Sequence, residues 1–337
     1  MSEADKILAQ FADVTPEIQA MLDDTLIDMS VDIPEPEHLI SQNGRPVCTR
    51  GNFSVIIGLP GSRKSFLCTA IAGAFLKGAY LGLDGKCDDS FLLWIDTEQA
   101  KGHVQRIGKR LNKICKVSSN SNMSCLKIHC LRDYDPDKRR DFLLAALELY
   151  KPVFVVLDGL SDLIIDANSV EQSTSIVNDI MTLTSKYQCH ILTVIHANIG
   201  SEKARGHLGS EALRKCETAM FVKANGEITK CSFQKSRDIR PDDFYYMVSN
   251  NLPILTENVE VKTDIVLEDL KKVMPVYPNV ITYTDLEIKL KADLKRSDGT
   301  AKNRIRDGVD RGYIKKTGKG SYHLPPPNEE IQFEMFQ

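Results

Sequence analysis

The stretch GLPGSRKS, Gly58 to Ser65, lies directly behind the apolar run FSVIIG (53–58) and directly ahead of a helical stretch that opens at Phe66. It follows the phosphate-loop pattern G-x-x-x-x-G-K-[ST] at every constrained position but one, because Arg63 stands where the second glycine belongs. In a strand–loop–helix setting the backbone N–H groups of such a loop wrap phosphate at the positive end of the helix. Lys64 adds charge there, and Ser65 offers a hydroxyl to Mg2+. A side chain at the second glycine costs backbone freedom. Gly58, Gly61 and the small Ser62 are expected to leave enough of it, with the Arg63 side chain turned away from the loop or toward phosphate. The candidate nucleotide-binding residues are Gly58, Leu59, Pro60, Gly61, Ser62, Arg63, Lys64, Ser65 and Phe66.

The surrounding pattern fits that reading. Short apolar runs at 53–58, 91–96, 126–131, 153–157 and 190–195 alternate with helical stretches Phe66–Lys77, His103–Lys116, Lys138–Tyr150 and Val170–Tyr187. Strands apolar on both faces and separated by amphipathic helices predict an α/β fold, a mostly parallel sheet covered on both sides. Ligands of such sheets bind at the carboxyl ends of the strands. WIDTEQA puts Asp96 and Glu98 at one such end, and VFVVLDGLSDL puts Asp158 at another, where a carboxylate holds Mg2+ directly or through water. Asp96 and Asp162 are equally suited to capping helices, and Glu98 to a solvated surface. After residue 216, TAMFVKA, EITKCSFQK and FYYMVSN predict antiparallel strands extending one sheet edge.

Composition sets the bounds. The 337 residues suffice for one large domain and a small one, and 42% hydrophobic with 26% charged residues is the balance of a globular chain. The net charge is −3, unevenly spread: residues 1–38 carry ten acidic side chains against Lys6, whereas 295–319 carry nine basic against three acidic. Nine scattered cysteines without a C-x-x-C pair point to reduced thiols. The opening MSEADK has no leader pattern and no apolar run nears about 20 residues, so a cytoplasmic protein with no membrane partner is expected.

GLPGSRKS, WIDTEQA, VFVVLDGLSDL, VIHAN and FQKSRD together resemble the RecA-like P-loop ATPase core, most closely its hexameric helicase branch, which includes the plasmid RepA-type helicases. The resemblance covers roughly 50–255. It implies ATP and Mg2+ as ligands, with Ser65 and Asp158 at the metal, Glu98 polarising the attacking water and His196 sensing the γ-phosphate. It also implies that Lys235 and Arg237, the K-x-R of KSR, reach a neighbouring subunit's site, hence a homo-oligomer, a hexameric ring in that branch. The loop ANIGSEKARGHLGSEALRK, carrying Lys203 and Arg205, corresponds to one that contacts DNA; by composition alone it is also an ordinary mobile surface loop.

The C-terminal stretch TYTDLEIKL…GTAKNRIRDGVDRGYIKKTGKGSYHL resembles a winged helix-turn-helix. Its basic helix would offer Lys302, Arg304 and Arg306 to DNA, and its wing Lys315, Lys316 and Lys319, though Arg304 does not share the face of Lys302 and Arg306. A protein-docking module with a solvated basic face is the alternative. The expected organisation is an acidic arm at 1–50, possessing a short helix near Pro16–Leu26, a RecA-like ATPase domain at 51–258, a winged-helix domain at 264–325 and a tail at 326–337. The expected function is an ATP-hydrolysing, DNA-binding motor serving replication or mobilisation of a plasmid or other mobile element. An ATP-switched DNA-binding regulator or recombination accessory factor is the competing expectation.

Overall fold

The β-branched and aromatic runs between Phe53 and Thr256 form the strands of one large sheet, whose central members, residues 53–58, 92–96, 154–158 and 190–195, are buried on both faces. The computed structural model describes residues 15–86, 90–257, 265–318 and 320–326. The chain divides into two units, Met1–Glu257 and Asn258–Gln337.

In the first unit, a helix α1 (Pro16–Thr25) precedes a hairpin, β1 (His38–Gln42) and β2 (Arg45–Thr49). The main sheet then takes β3 (Phe53–Gly58), β6 (Leu92–Asp96), β7 (Leu126–Cys130), β8 (Phe154–Asp158), β9 (His190–His196), β10 (Thr218–Asn225), β11 (Ile228–Ser236), β12 (Phe244–Ser249) and β13 (Leu252–Thr256). Between them run α2 (Lys64–Lys77), the short strands β4 (Ala79–Tyr80) and β5 (Leu83–Gly85), α3 (Lys101–Ile114), α4 (Pro136–Tyr150), α5 (Val170–Tyr187) and α6 (Gly206–Lys215). The strand order is β13-β12-β11-β10-β3-β9-β8-β6-β7. The six strands from β10 to β7 are mutually parallel, and β11, β12 and β13 are antiparallel additions.

Alternation along each central strand fills two cores. Ile56, Trp94 and Val156 face one side with Leu67, Ile71 and Leu111 of α2 and α3, while Val55, Ile57, Leu93 and Val155 face the other with Leu147, Ile176 and Leu208 of α4, α5 and α6. Register decides the rest. Gly58 pairs with His196, Asp96 with Asp158 and Leu157 with Thr193, so four parallel strands end on the same side of the sheet, β3 and β9 reaching two residues past β6 and β8.

Three features depart from the sequence expectations. TAMFVKA is parallel to β3 rather than antiparallel; the reversal begins one strand later, at β11. Residues 38–49, expected in the acidic arm, instead fold as a hairpin about Asn43–Gly44, both with positive φ, and join β5 and β4 in a four-stranded sheet. That sheet is held in place by buried Glu217, which accepts from the Thr49 backbone N–H and hydroxyl at 3.0 and 2.7 Å, and by Gly85, where a Cβ would lie 2.1 Å from the Ala74 carbonyl oxygen. Finally, the second half of the expected glycine-rich loop is helical: Leu208 and Ala212, four apart, bury one face of α6.

The second unit consists of α7 (Ile265–Val273), β14 (Ile281–Thr282), α8 (Tyr283–Ala292), α9 (Asp298–Asp310), β15 (Lys315–Lys316) and β16 (Ser321–His323). The strands form one sheet in the order β14-β16-β15. Leu270, Leu286, Leu290, Ile305, Ile314 and Tyr322 make its core. Ser297 caps α9, accepting from the Thr300 N–H, and Gly308 lets α9 lie against Leu270, whose Cδ1 would stand 2.3 Å from an added Cβ. The wing position Lys319 lies outside the described residues.

Candidate functional site: a phosphate loop at four strand ends

The loop from Gly58 to Arg63 leaves the sheet at β3 and delivers its last residues into the first turn of α2. Gly58 has to be glycine, since a Cβ would stand 2.5 Å from Ser62 Oγ and 2.7 Å from the Val222 carbonyl oxygen. Arg63 takes up the left-handed conformation, φ +71°, that its missing glycine would have taken. Its guanidinium turns away from the loop interior and donates to the carbonyls of Glu227 and Gly226, at 2.9 and 2.8 Å, and to Thr229 Oγ1 at 2.8 Å. From above, Tyr246 donates to the Arg63 carbonyl at 3.0 Å. Of the two dispositions expected for Arg63, the structure takes the first.

Lys64 is buried, and its ammonium donates to the carbonyls of Gly58 and Leu59 while lying 3.5 Å from His196 Nδ1. Burial lowers its pKa; the negative charges of Asp158 and Glu98 act the other way. Ser65 donates its hydroxyl to Asp158 Oδ2 at 3.0 Å. Burial, then the neighbouring Asp96 carboxylate, pushes the Asp158 pKa up to about 6. Asp96, fully buried, accepts from the N–H groups of Glu98 and Gln99 and from the Gln99 amide. It shapes the loop carrying Glu98 as a cap would. Glu98 Oε2 lies 3.5 Å from His196 Nε2, and that contact is the main reason its pKa falls.

A cavity of about 500 Å3 opens over these groups, lined by Gly61, Lys64, Ser65, Glu98, Asp158 and His196 among others. The structure thus brings Lys64, Ser65, Glu98, Asp158 and His196 together. Two hard oxygen donors side by side, Ser65 and Asp158, suit Mg2+, and a recessed ammonium beneath a glycine-bearing loop suits a phosphate chain.

Sequence reasoning passed over His103, Arg106, Arg110 and Asn251, which line the same cavity. The first three were within reach of it, being spaced three and four apart on one face of α3. Arg110 stacks 3.9 Å over the Phe66 ring and donates to the Asn251 backbone and side-chain oxygens. Burial lowers its pKa to about 10. Asn251 had no local signal, since a distant hairpin brings it in.

The remaining candidates lie elsewhere. Lys235 donates to the carbonyls of Leu213 and Arg214, both at 2.8 Å, and Arg237 to that of Lys215, so both cap the C-terminus of α6. Neither lines the cavity of its own chain. Lys203 is exposed in a turn closed by the Asn198 N–H to Lys203 carbonyl bond, and Arg205 stands exposed at the start of α6. The turn's Gly200–Glu202 face Leu59–Ser62 across a second cavity of about 410 Å3. In the C-terminal unit, Lys302, Arg306, Lys315 and Lys316 are exposed, whereas Arg304 turns inward to Asp269 Oδ2 at 3.0 Å.

A mostly parallel sheet with a phosphate loop behind its central strand, and a lysine, a hydroxyl and two carboxylates converging on that loop, defines a P-loop ATPase. The chain belongs to the AAA domain family: the family's model, AAA_25, matches residues 15–202, more than half its length. No curated protein matches the sequence. The matched span holds Lys64, Ser65, Glu98, Asp158 and His196 and ends before β10. Among the described residues no helix is long and apolar enough to cross a membrane.

Proposed function

We propose that this ATPase is an oligomeric, DNA-binding motor of the RepA-like helicase kind, acting in replication or mobilisation of a plasmid or other mobile element. The observation that carries the reading is the contact line from Lys64 through His196 to Glu98, with Ser65 and Asp158 alongside. Lys64 and the loop N–H groups hold the β- and γ-phosphates. Ser65 and Asp158 would hold Mg2+, which would supply positive charge against the phosphate oxygens. Glu98 orients and deprotonates the attacking water, and His196, touching both Lys64 and Glu98, links the γ-phosphate to the base.

The DNA reading draws support from the second unit's element order, helix, strand, two helices and a hairpin, which is that of a winged helix-turn-helix. Lys302 and Arg306 share one face of α9, and Lys315 and Lys316 lie on the hairpin, positions suited to phosphate contacts. The turn bearing Lys203 adjoins the phosphate loop, a route by which nucleotide state reaches DNA. In an oligomer, a ring of six in this reading, Lys235 and Arg237 act on the neighbour's nucleotide.

One observation favours the competing reading, an ATP-switched DNA-binding regulator or recombination accessory factor: Lys235 and Arg237 are already engaged on their own α6. Strand displacement on forked DNA separates the two. ATP-dependent unwinding, lost in Lys64→Ala, is the expected result; ATP-modulated binding without unwinding would overturn the motor.

A further inference from the structure

Glu98 sits between two anchored neighbours. The Thr97 N–H donates to the Asp158 carbonyl at 2.8 Å, and the Thr97 hydroxyl gives its proton to Asp162 Oδ2 at 2.7 Å while accepting from the Gly159 N–H at 3.1 Å. On the other side, the Cys130 thiol donates to the Gln99 carbonyl at 3.2 Å. The Thr97 carbonyl also needs a donor, because Thr97 is only 2% exposed and a buried acceptor left unpaired is costly. Arg139 supplies it.

Arg139 is half-buried in α4, and its side-chain hydrogen bonds all go to main-chain carbonyls. Nε donates to Leu131 at 3.2 Å, one terminal nitrogen to Asp162 at 2.9 Å, and the other to Thr97 at 3.2 Å and Arg132 at 3.0 Å. These carbonyls lie just beyond β6, β7 and β8, so one planar group spans three strand ends. The place does not favour a cation for its own sake: Asp135 caps α4, and Arg139 stands near the positive end of the helix dipole. A lysine would keep the charge, but its donors radiate from one point, whereas the guanidinium fork offers them around a rigid rim. Arg139 lines neither of the cavities beside the phosphate loop.

We infer that Arg139 is a positioning residue for hydrolysis: through the Thr97 and Asp162 carbonyls it fixes the loop carrying Glu98 relative to the turn carrying Asp158. The inference rests on Glu98 as the base. Phosphate binding is built on the loop from Gly58 to Ser65, which shares none of the Arg139 bonds. Loss of the clamp therefore falls on turnover and leaves affinity in place. A displacement of about 1 Å in a reacting group is enough to cost roughly 100-fold in rate.

The test is single-turnover hydrolysis by the full-length protein with saturating ATP and Mg2+, well below its melting temperature, alongside equilibrium binding of a fluorescent ATP analogue. Arg139→Ala is expected to slow hydrolysis by roughly 10–100-fold with affinity within about twofold of the parent. Should the alanine variant not fold, Arg139→Lys, which keeps the stem and the charge, is expected to bind equally and to turn over several-fold more slowly than the parent. In a Glu98→Gln background both effects should vanish, since no base is left to place. A merely structural role would lower affinity and rate together, in both backgrounds. Arg139 variants that hydrolyse at the parent's rate, that lose affinity in step with rate, or that slow Glu98→Gln by the same factor would overturn the positioning role while leaving Glu98 as the base. Glu98→Gln hydrolysing at the parent's rate would remove the base assignment itself.

Discussion

Arg63 and Thr229 are joined at 2.8 Å between the guanidinium and Oγ1, a bond that ties the phosphate loop to the β10–β11 hairpin. With the two further bonds to Gly226 and Glu227, it anchors the one loop residue whose backbone is strained. Arg63→Ala keeps that strain and loses the anchor, and we expect a loss of about 2 kcal/mol of stability. Arg63→Gly loses the same anchor but relieves about 1 kcal/mol of left-handed strain. Urea denaturation of the three proteins should therefore rank them parent, glycine, alanine; an alanine variant as stable as the parent would show that the tether carries no energy.

Asp158 supplies a pH dependence. Its pKa rises from 3.8 unfolded to about 6 folded, so between those values the native state holds the proton more tightly. Stability from this group is therefore complete below about pH 4 and is lost as pH rises through about 6. Asp158→Asn should remove that slope, and above pH 7 it should be more stable than the parent by on the order of 2–3 kcal/mol. Thermal melts without nucleotide from pH 4 to 8 measure the difference. The same variant should lose Mg2+-dependent nucleotide binding.

Glu98 and Lys64 should separate binding from turnover. Glu98→Gln keeps the loop and the ammonium, so ATP affinity should stay within a few-fold while hydrolysis falls by roughly 100-fold or more, the scale of a lost general base. Lys64→Ala should lose both. Equilibrium binding of a fluorescent ATP analogue alongside phosphate release distinguishes them. A Glu98→Gln enzyme turning over at the parent's rate would assign the base elsewhere.

Lys235 and Arg237 act on α6 and, in the proposed oligomer, on a neighbour. As caps alone each contributes about 0.3–1 kcal/mol, so Lys235→Ala should melt within a few degrees of the parent. Hydrolysis by the assembled variant should nonetheless collapse, and a small fraction of parent subunits should not restore it to their own sites. Turnover unaffected by Lys235→Ala and Arg237→Ala would leave them as helix caps only.

In the C-terminal unit, buried Asp269 takes Arg296 at 2.9 Å and Arg304 at 3.0 Å. Burial raises its pKa, but the two guanidinium groups outweigh it and hold the net value below 3.8. Asp269→Ala leaves two facing cations and should cost about 2–4 kcal/mol, a loss that fades as pH falls below about 4 because the parent's carboxylate is then protonated too. If the unit binds DNA as proposed, Arg304→Ala should destabilise it more than it weakens that binding, whereas Lys302→Ala should do the reverse. Melting temperature and salt-dependent DNA affinity, measured on both, make the comparison.

Local information was enough to locate the chemistry. Short apolar runs bounded by helical stretches placed Gly58, Asp96, Asp158 and His196 at strand ends, and parallel strands end on one side, so their convergence followed from the chain itself. Lys64, Ser65 and Glu98 were legible for the same reason, each lying within two residues of a strand end or helix start. Even the hairpin at Asn43–Gly44 had its turn written in the sequence. What depended on long-range packing was not legible. Whether β10 runs parallel or antiparallel to β3 depends on which neighbour accepts its hydrogen bonds, and the backbone offers both kinds equally. Arg63 read as a defect in a glycine motif, and only folding brings Gly226, Glu227 and Thr229, more than 160 residues along the chain, to the donors that hold it. Asn251 enters the cavity for the same reason, on a hairpin that no local pattern links to α3. Sequence periodicity determines which face of an element is buried, but the partner of that face is chosen by the sum of contacts across the whole sheet.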